Sequence, residues 1–157
     1  MTGSTTRRPP VAAIIYGVLI VAMGIAQLTD VTGFVDILSG YDVFGRWDGP
    51  AAAFIVAAEL AAGIGVLACR VIPRPAAVAA GWLGIAIALI WASLATQAFV
   101  RGLDIPNCGC FGVHFGQRLR WWILLEDLYM FVLAWYAARG VRVSASTAIN
   151  LRVGPSR

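Results

Sequence analysis

The sequence predicts an all-α integral membrane protein, a four transmembrane helix bundle with a short amphipathic surface helix after the first span. Composition and hydropathy both lead to this fold class. Of the 157 residues, 60% are hydrophobic and only 13% are charged, and the mean hydropathy is +0.80. A soluble domain needs about a quarter of its residues charged, and a disordered chain is poor in apolar residues. Both of those classes are therefore excluded.

The apolar residues fall into four long stretches, each close to the roughly 20 residues that a helix needs to cross the hydrocarbon core. We predict helices here because an isolated strand would leave backbone groups unpaired in lipid. The first stretch also has features of a cleavable signal peptide, and cleavage would leave three spans. The predicted spans are residues 11–28, 51–69, 76–99 and 121–138, between an N-terminal tail (1–10) and a basic C-terminal tail (139–157).

The segment between the first two spans has its own helical pattern. Its apolar residues recur at a spacing that places them on one face, with the acidic residues off that stripe. We interpret it as a short helix on the membrane surface that ends at Gly40; a loop with some apolar residues is the alternative. The stripe consists of Val31, Phe34, Val35, Leu38 and Tyr41.

The arginines predict the orientation. All twelve basic residues are Arg, against eight acidic residues, and the net charge of +4 forms no basic stripe of the kind that binds nucleic acid. Eight arginines flank one side of the predicted bundle and four flank the other. The positive-inside rule then places both termini in the cytoplasm of a cell inner (cytoplasmic) membrane. The loop after the third span faces outward, and we expect it to be exposed.

That outward loop contains the motif with the clearest chemistry, Asn-Cys-Gly-Cys-Phe-Gly at residues 107–112. Gly109 permits a tight turn that brings the thiols of Cys108 and Cys110 together. A disulfide in so small a ring is strained and exchange-prone, and it adds little stability because the loop that it closes is short. We therefore predict Cys108 and Cys110 as redox-active residues. The supporting residues within the motif are Gly109, Phe111 and Gly112.

Other interpretations of the thiols remain open. They could be buried free thiols that behave as small apolar residues, or they could bind a metal with His114 and Asp104. The spacing is unlike the usual zinc pattern, so we predict no metal, and the Cys-x-x-Cys-His needed for covalent haem is missing. Cationic side chains in the loop would favour the reactive thiolate. These are His114, Arg101, Arg118 and Arg120.

Three carboxyl groups lie within the predicted spans, where ionisable residues are costly and by default functional. Glu59 is near the middle of the second span, and Glu126 and Asp127 follow the start of the fourth. They could move protons for the dithiol, or they could form interhelical hydrogen bonds. The candidate partners for such bonds are Gln27, Gln97 and Thr96.

The four spans, the surface segment, the Glu in span two and the Cys108–Gly112 motif together resemble the methylamine utilisation protein MauE family, which is similar to DoxX-like membrane proteins. The resemblance covers residues 11–138. It implies functional roles for Cys108, Cys110 and Glu59. The chain departs from the family at Gln27, where relatives often have a basic residue, and at Glu126, where they often have Arg.

The resemblance also implies an inner-membrane protein that acts with an extracytoplasmic thioredoxin-like partner, as family members do in making the disulfide-rich small subunit of methylamine dehydrogenase. The predicted function is thiol–disulfide exchange in the bilayer, with no nucleic acid as partner. Net oxidation would require an electron acceptor, for which a quinone is a candidate; no sequence feature identifies its site. The alternatives are a non-catalytic assembly or scaffold subunit, and metal delivery through the dithiol.

Overall fold

The computed structural model describes residues 11–152, with side chains described as far as Val141. Within this range the chain forms five α-helices and no β-strand, so the all-α prediction is confirmed. A short 3-10 turn, Gly45–Trp47, precedes the third helix. The helices are α1 (Val11–Thr29), α2 (Val31–Ser39), α3 (Asp48–Leu67), α4 (Arg74–Val100) and α5 (Trp121–Arg152).

Four of these segments are long and apolar enough to cross a membrane, which confirms the helical multi-pass architecture. The second begins earlier than predicted because Asp48, Gly49 and Pro50 form the first turn of α3. Proline is tolerated there, since the first turn of a helix has no partner for its backbone N–H. The four segments are Val11–Thr29, Gly45–Leu67, Arg74–Val100 and Trp121–Val141.

Helix α5 does not end at Arg139 and Gly140, where the sequence pattern indicated the end of the fourth span. It continues to Arg152. A single glycine inside a helix costs only about 0.5–1 kcal/mol relative to alanine, which is too little to end it. The predicted N-terminal tail, residues 1–10, lies outside the described residues, as do residues 153–157.

Small residues allow the helices to pack closely. A Cβ atom added at Gly17 would lie 2.7 Å from Cγ of Leu67, and one at Gly81 would lie 3.0 Å from Cα of Ala138. Such contacts let backbones approach each other in lipid, where apolar burial alone does not drive helix association. Helix α1 belongs to this bundle, because the hydroxyl of Tyr16 donates to the carbonyl of Gly84 on α4 over 2.8 Å.

Helix α2 closes one end of the bundle. Asp30 caps its start by accepting a hydrogen bond from the backbone N–H of Gly33 over 2.9 Å, and Gly40 follows its last residue, as predicted. The predicted apolar stripe is buried at Phe34, Leu38 and Tyr41, whereas Val31 is exposed. The buried face packs over the loop that contains the cysteines, where the side chains of Phe34 and Ile37 lie beside Gly109.

Candidate functional site

The Cys108–Cys110 turn lies between α4 and α5 and is held by three other parts of the chain. The hydroxyl of Tyr41 donates to the carbonyl of Cys108 over 2.8 Å. The backbone N–H of Cys108 donates to the carbonyl of Gln117, also over 2.8 Å. At the end of α1, Nε2 of Gln27 donates to the carbonyl of Cys110 over 3.1 Å. The turn is therefore fixed from α1, from the segment after α2 and from its own loop.

The two glycines of the motif supply backbone angles that other residues rarely adopt. Gly109 has a φ of +87° and Gly112 a φ of +57°, which are favourable only without a Cβ. Asn107 closes the turn, since its Oδ1 accepts from the N–H of Gly109 over 3.0 Å and its Nδ2 donates to the carbonyl of Gly112 over 2.8 Å. The sequence contained a signal for this contact that we did not use, because Asn favours such side-chain turns.

The two sulfur atoms lie 3.5 Å apart, and both cysteines are free thiols. The prediction that this loop is exposed is wrong for the cysteine turn, which is largely buried. Cys108 is only 4% exposed, Gly109 is buried and Cys110 is half-buried. Burial is tolerated because Tyr41, Gln27 and Asn107 satisfy polar backbone groups of the turn that would otherwise need water.

The two thiols are not equivalent. A hydrogen bond from the Cys110 thiol lowers the pKa of Cys108, although burial and the charges of Asp127 and Glu126 act in the opposite direction. The same hydrogen bond raises the pKa of Cys110 well above its usual value, and burial raises it further. Either sulfur can donate while both are protonated, but once Cys108 ionises only Cys110 retains a proton. Cys108 is therefore the first of the pair to become a thiolate.

The cationic side chains of the loop have other partners. Nε2 of His114 lies 2.6 Å from the hydroxyl of Thr29 at the end of α1. Arg101 forms a 2.6 Å ion pair with Asp42. These side-chain partners of His114 and Arg101 are residues other than the two cysteines, and a role of positive charge in activating the thiols stays a prediction.

A second ion pair joins Arg118 to Asp104 and bears on the metal-site alternative. The guanidinium of Arg118 contacts both carboxylate oxygens of Asp104, which lowers the pKa of Asp104. Among the described residues, no three His, Cys, Asp or Glu side chains are placed to hold a metal ion together. The set of Cys108, Cys110, His114 and Asp104 is therefore not assembled.

Glu59 is fully buried and is bound from α4, because Nε1 of Trp91 donates to its Oε1 over 2.7 Å. Gln27, one of the three predicted partners, instead donates to the carbonyls of Gly109 and Cys110. Gln97 instead donates to the carbonyl of Tyr41. Within the part of the chain that the structure describes, Oε2 of Glu59 and Oε1 of Gln27 are both buried without a hydrogen-bond partner.

Comparison with known proteins gives one result. Residues 8–139 match the family described as Methylamine utilisation protein MauE. The chain belongs to the MauE family. No curated protein and no solved structure matches it. The match covers the Cys108–Cys110 turn and Glu59 as well as all but the last residues of the fourth span, so the resemblance seen in the sequence is confirmed.

Two further carboxyl groups of this MauE-family protein lie on α5 and differ in their environment. Glu126 is exposed, and its Oε1 accepts from Nε2 of Gln117 over 3.0 Å. Asp127 is only 7% exposed, and its Oδ2 has no hydrogen-bond partner among the described residues. Both residues line a cavity, which Cys110 also lines. Of the three predicted carboxyl groups, Glu126 and Asp127 therefore share a cavity with Cys110, whereas Glu59 is bound to Trp91.

The cavity has a volume of about 200 Å³ and lies between α1 and α5, with α4 and the cysteine turn behind it. Its inner wall includes the buried side chains of Tyr16 and Trp91. At its rim are Leu19, which is half-buried, and Tyr129, which is exposed. Phe111 of the motif also lines it. The cavity therefore lies between Cys110 and the exposed edges of α1 and α5, two helices that are long and apolar enough to cross a membrane.

Proposed function

We propose that this MauE-family membrane protein is a thiol–disulfide exchange protein in which Cys108 and Cys110 cycle between a dithiol and a disulfide. The observation that carries the proposal is the 3.5 Å separation of the two sulfur atoms. A disulfide has an S–S length of about 2.05 Å, so a small movement within the turn would form one. The left-handed conformation of Gly109 keeps both side chains on the same side of the turn.

The difference between the two thiols supports separate roles for them. In the oxidised protein, a partner thiolate attacks the sulfur of Cys110, which is the half-buried residue of the pair, whereas Cys108 is buried. Cys108 leaves as a thiolate, because the thiol with the lower pKa is the better leaving group. The second thiol of the partner then attacks the mixed disulfide and releases Cys110. The partner dithiol loses two electrons and two protons, and Cys108 and Cys110 end as a dithiol.

The proposed partner is an extracytoplasmic thioredoxin-like protein, as the family resemblance implies. The loop after the cysteine turn offers a surface for it, because Phe115 is 70% exposed and the neighbouring His114 is also exposed. The arginine distribution supports an inner-membrane location with both termini in the cytoplasm, which would present this loop to the outside. Disulfide formation in an extracytoplasmic protein, of the methylamine dehydrogenase type, is the process that we propose it supports.

A trapping experiment tests these roles. The exchange is reversible, so in Cys108→Ser the remaining Cys110 thiolate can attack the disulfide of the oxidised partner, displacing one partner thiolate. Without Cys108 to resolve it, this mixed disulfide should accumulate on a non-reducing gel of cells that express both proteins. Cys110→Ser should trap much less, and Cys69→Ser, the matched control at the other end of the bundle, should behave like the parent. The scaffold alternative would be favoured instead if the Cys108→Ser/Cys110→Ser double variant kept full activity in cells.

A further inference from the structure

We propose that the cavity between α1 and α5 binds the ring of a membrane-dissolved quinone, and that this quinone oxidises the Cys108–Cys110 dithiol. The inference rests on the proposed function and adds the electron acceptor that exchange requires for turnover. Three features of the cavity carry it: Cys110 in its lining, the buried residue Asp127 in the same lining with an unpartnered carboxylate oxygen among the described residues, and a mouth between two membrane-spanning helices.

The size and lining of the cavity fit a single ring. Its volume of about 200 Å³ exceeds the roughly 150 Å³ of an apolar cavity that holds one benzene molecule. The walls are mostly apolar, and Trp91 and Tyr16 supply flat aromatic surfaces. The rim residues Leu19 and Tyr129 lie on helices that face lipid. A quinone could therefore place its ring inside while its isoprenoid tail remains in the bilayer.

Asp127 distinguishes this ligand from an ordinary lipid chain. Its side chain is more than nine-tenths buried, and its Oδ2 has no hydrogen-bond partner within the described residues. Burying an oxygen without a hydrogen bond is unfavourable. An acyl chain has no donor for it, whereas the O–H of a quinol does. In this proposal the carboxyl group, which lines the same cavity as Cys110, takes the proton of the Cys110 thiol and returns it to a ring oxygen.

The reaction balances with this arrangement. The Cys110 sulfur adds to a ring carbon of the quinone while its proton passes to Asp127. The Cys108 thiolate then attacks the Cys110 sulfur, so that the S–S bond forms and the S–C bond breaks with its electron pair on the ring. The two protons that were on the thiols end on the two ring oxygens. In total the dithiol loses two electrons and two protons, and the quinone becomes the quinol.

The first test follows oxidation of the reduced, full-length protein in detergent or liposomes. Decylubiquinone and menadione are the probes, because the geometry does not distinguish a benzoquinone from a naphthoquinone ring. At least one should oxidise the protein, with one quinone reduced for each pair of thiols lost. Diamide, a water-soluble thiol oxidant, provides the comparison. If diamide forms the disulfide but neither quinone does, the quinone site is wrong and the proposed function stands. If no oxidant forms it, the proposed function fails.

A matched pair of variants tests whether the quinone reacts through the mouth of the cavity. Leu19→Trp fills the mouth of the cavity, and Leu128→Trp makes the same change on the exposed face of α5, outside it. Leu19→Trp should slow oxidation by quinone about tenfold or more, which corresponds to about 1.4 kcal/mol. Leu128→Trp should react like the parent, and diamide should oxidise both. Equal quinone rates in the two variants would overturn the assignment of the cavity.

A binding measurement covers the case in which Leu19→Trp fails to fold. In a Cys69→Ser/Cys108→Ser background, Cys110 is the remaining thiol of the chain. Decylubiquinol, which cannot accept electrons from it, should slow its alkylation by N-ethylmaleimide in a saturable manner. Adding the Leu128→Trp change should leave this protection intact. If the quinol gives no protection at any concentration, the cavity does not bind a quinone ring beside Cys110.

Discussion

Nε2 of Gln27, at the end of α1, donates a hydrogen bond to the carbonyl of Cys110 over 3.1 Å, so a membrane-spanning helix directly holds the cysteine turn. The same nitrogen lies 3.4 Å from the carbonyl of Gly109. Gln27 is fully buried, as is Glu59, whose carboxylate accepts a hydrogen bond from Trp91 on α4. Two separate buried polar contacts therefore join the spans, one at the cysteine turn and one between α3 and α4.

Removing the Gln27 amide should loosen the turn. Gln27→Leu leaves two buried carbonyl groups without this donor, which should cost about 1–3 kcal/mol of stability. Thermal unfolding in detergent measures the loss. Gln117→Leu is the matched control, because the Gln117 side chain contacts the exposed Glu126 at the surface. This substitution should change the free energy of unfolding by less than about 0.5 kcal/mol. Equal stability of the two variants would contradict a structural role for Gln27.

Glu59 should tolerate loss of charge but not loss of polarity. Glu59→Gln retains an oxygen that accepts from Trp91, so the fold and the thiol chemistry should survive. Glu59→Leu orphans the indole N–H of Trp91 and should lower the free energy of unfolding by about 1–3 kcal/mol. In the double variant Glu59→Leu/Trp91→Phe the orphaned donor is also gone, so part of the loss should be recovered. Wild-type stability of Glu59→Leu would remove any role for the carboxyl group.

The pH dependence of thiol alkylation tests the hydrogen bond between the cysteines. Cys110 lowers the pKa of Cys108 by hydrogen bonding, so the Cys108 thiolate should be present at a lower pH than in an ordinary cysteine. Cys110→Ala removes the donor, and the alkylation profile of Cys108 should move to higher pH. Iodoacetamide rates in a Cys69→Ser background measure this. A profile unchanged by Cys110→Ala would show that the hydrogen bond does not control ionisation.

The structure changes the expected effect of substitutions at Gly109. For an exposed turn, Gly109→Val would alter the redox potential without altering protein abundance. The turn is buried, and a Cβ at Gly109 would lie 2.9 Å from Cγ2 of Ile37. Left-handed backbone angles cost about 1–2 kcal/mol for a residue with a Cβ, so Gly109→Ala should reduce the amount of folded protein.

A control separates backbone strain at Gly109 from packing. Gly102 also has a positive φ, of +67°, but a Cβ there would have no neighbour within 4 Å. Gly102→Ala should therefore show the effect of backbone strain alone, and it should reduce the yield of folded protein less than Gly109→Ala does. Size-exclusion chromatography measures the yield of folded protein for both variants. The same yield from both variants would mean that the contact with Ile37 is easily relieved.

Orientation is best tested with introduced cysteines, because Cys108 is buried. Phe115 is 70% exposed in the loop after the cysteine turn, and Val71 is 85% exposed in the loop between α3 and α4. In a Cys69→Ser background, an impermeant maleimide on intact cells should label Phe115→Cys. Val71→Cys should be labelled only after the membrane is permeabilised. The reverse pattern would invert the orientation and move the dithiol to the cytoplasmic side.

The sequence was sufficient to predict the spans and the proximity of the thiols, since both depend on local properties. Span length follows from runs of apolar residues, and a single glycine limits how far apart Cys108 and Cys110 can lie. The role of Gln27 could not be assigned in this way, because its contact with Cys110 joins residues 83 positions apart. Trp91 was overlooked as an apolar residue of α4, although a buried indole N–H usually requires an acceptor and Glu59 supplies it.

A redox titration of the cysteine pair tests the central claim most directly. Cys69→Ser protein would be equilibrated with buffers of defined thiol–disulfide ratio and then alkylated with a maleimide that shifts the gel band for each free thiol. The account predicts one transition in which both thiols disappear together, with about 30 mV for each tenfold change in the equilibrium ratio, as expected for two electrons. Two alkylatable thiols at every potential, or the loss of only one, would contradict it.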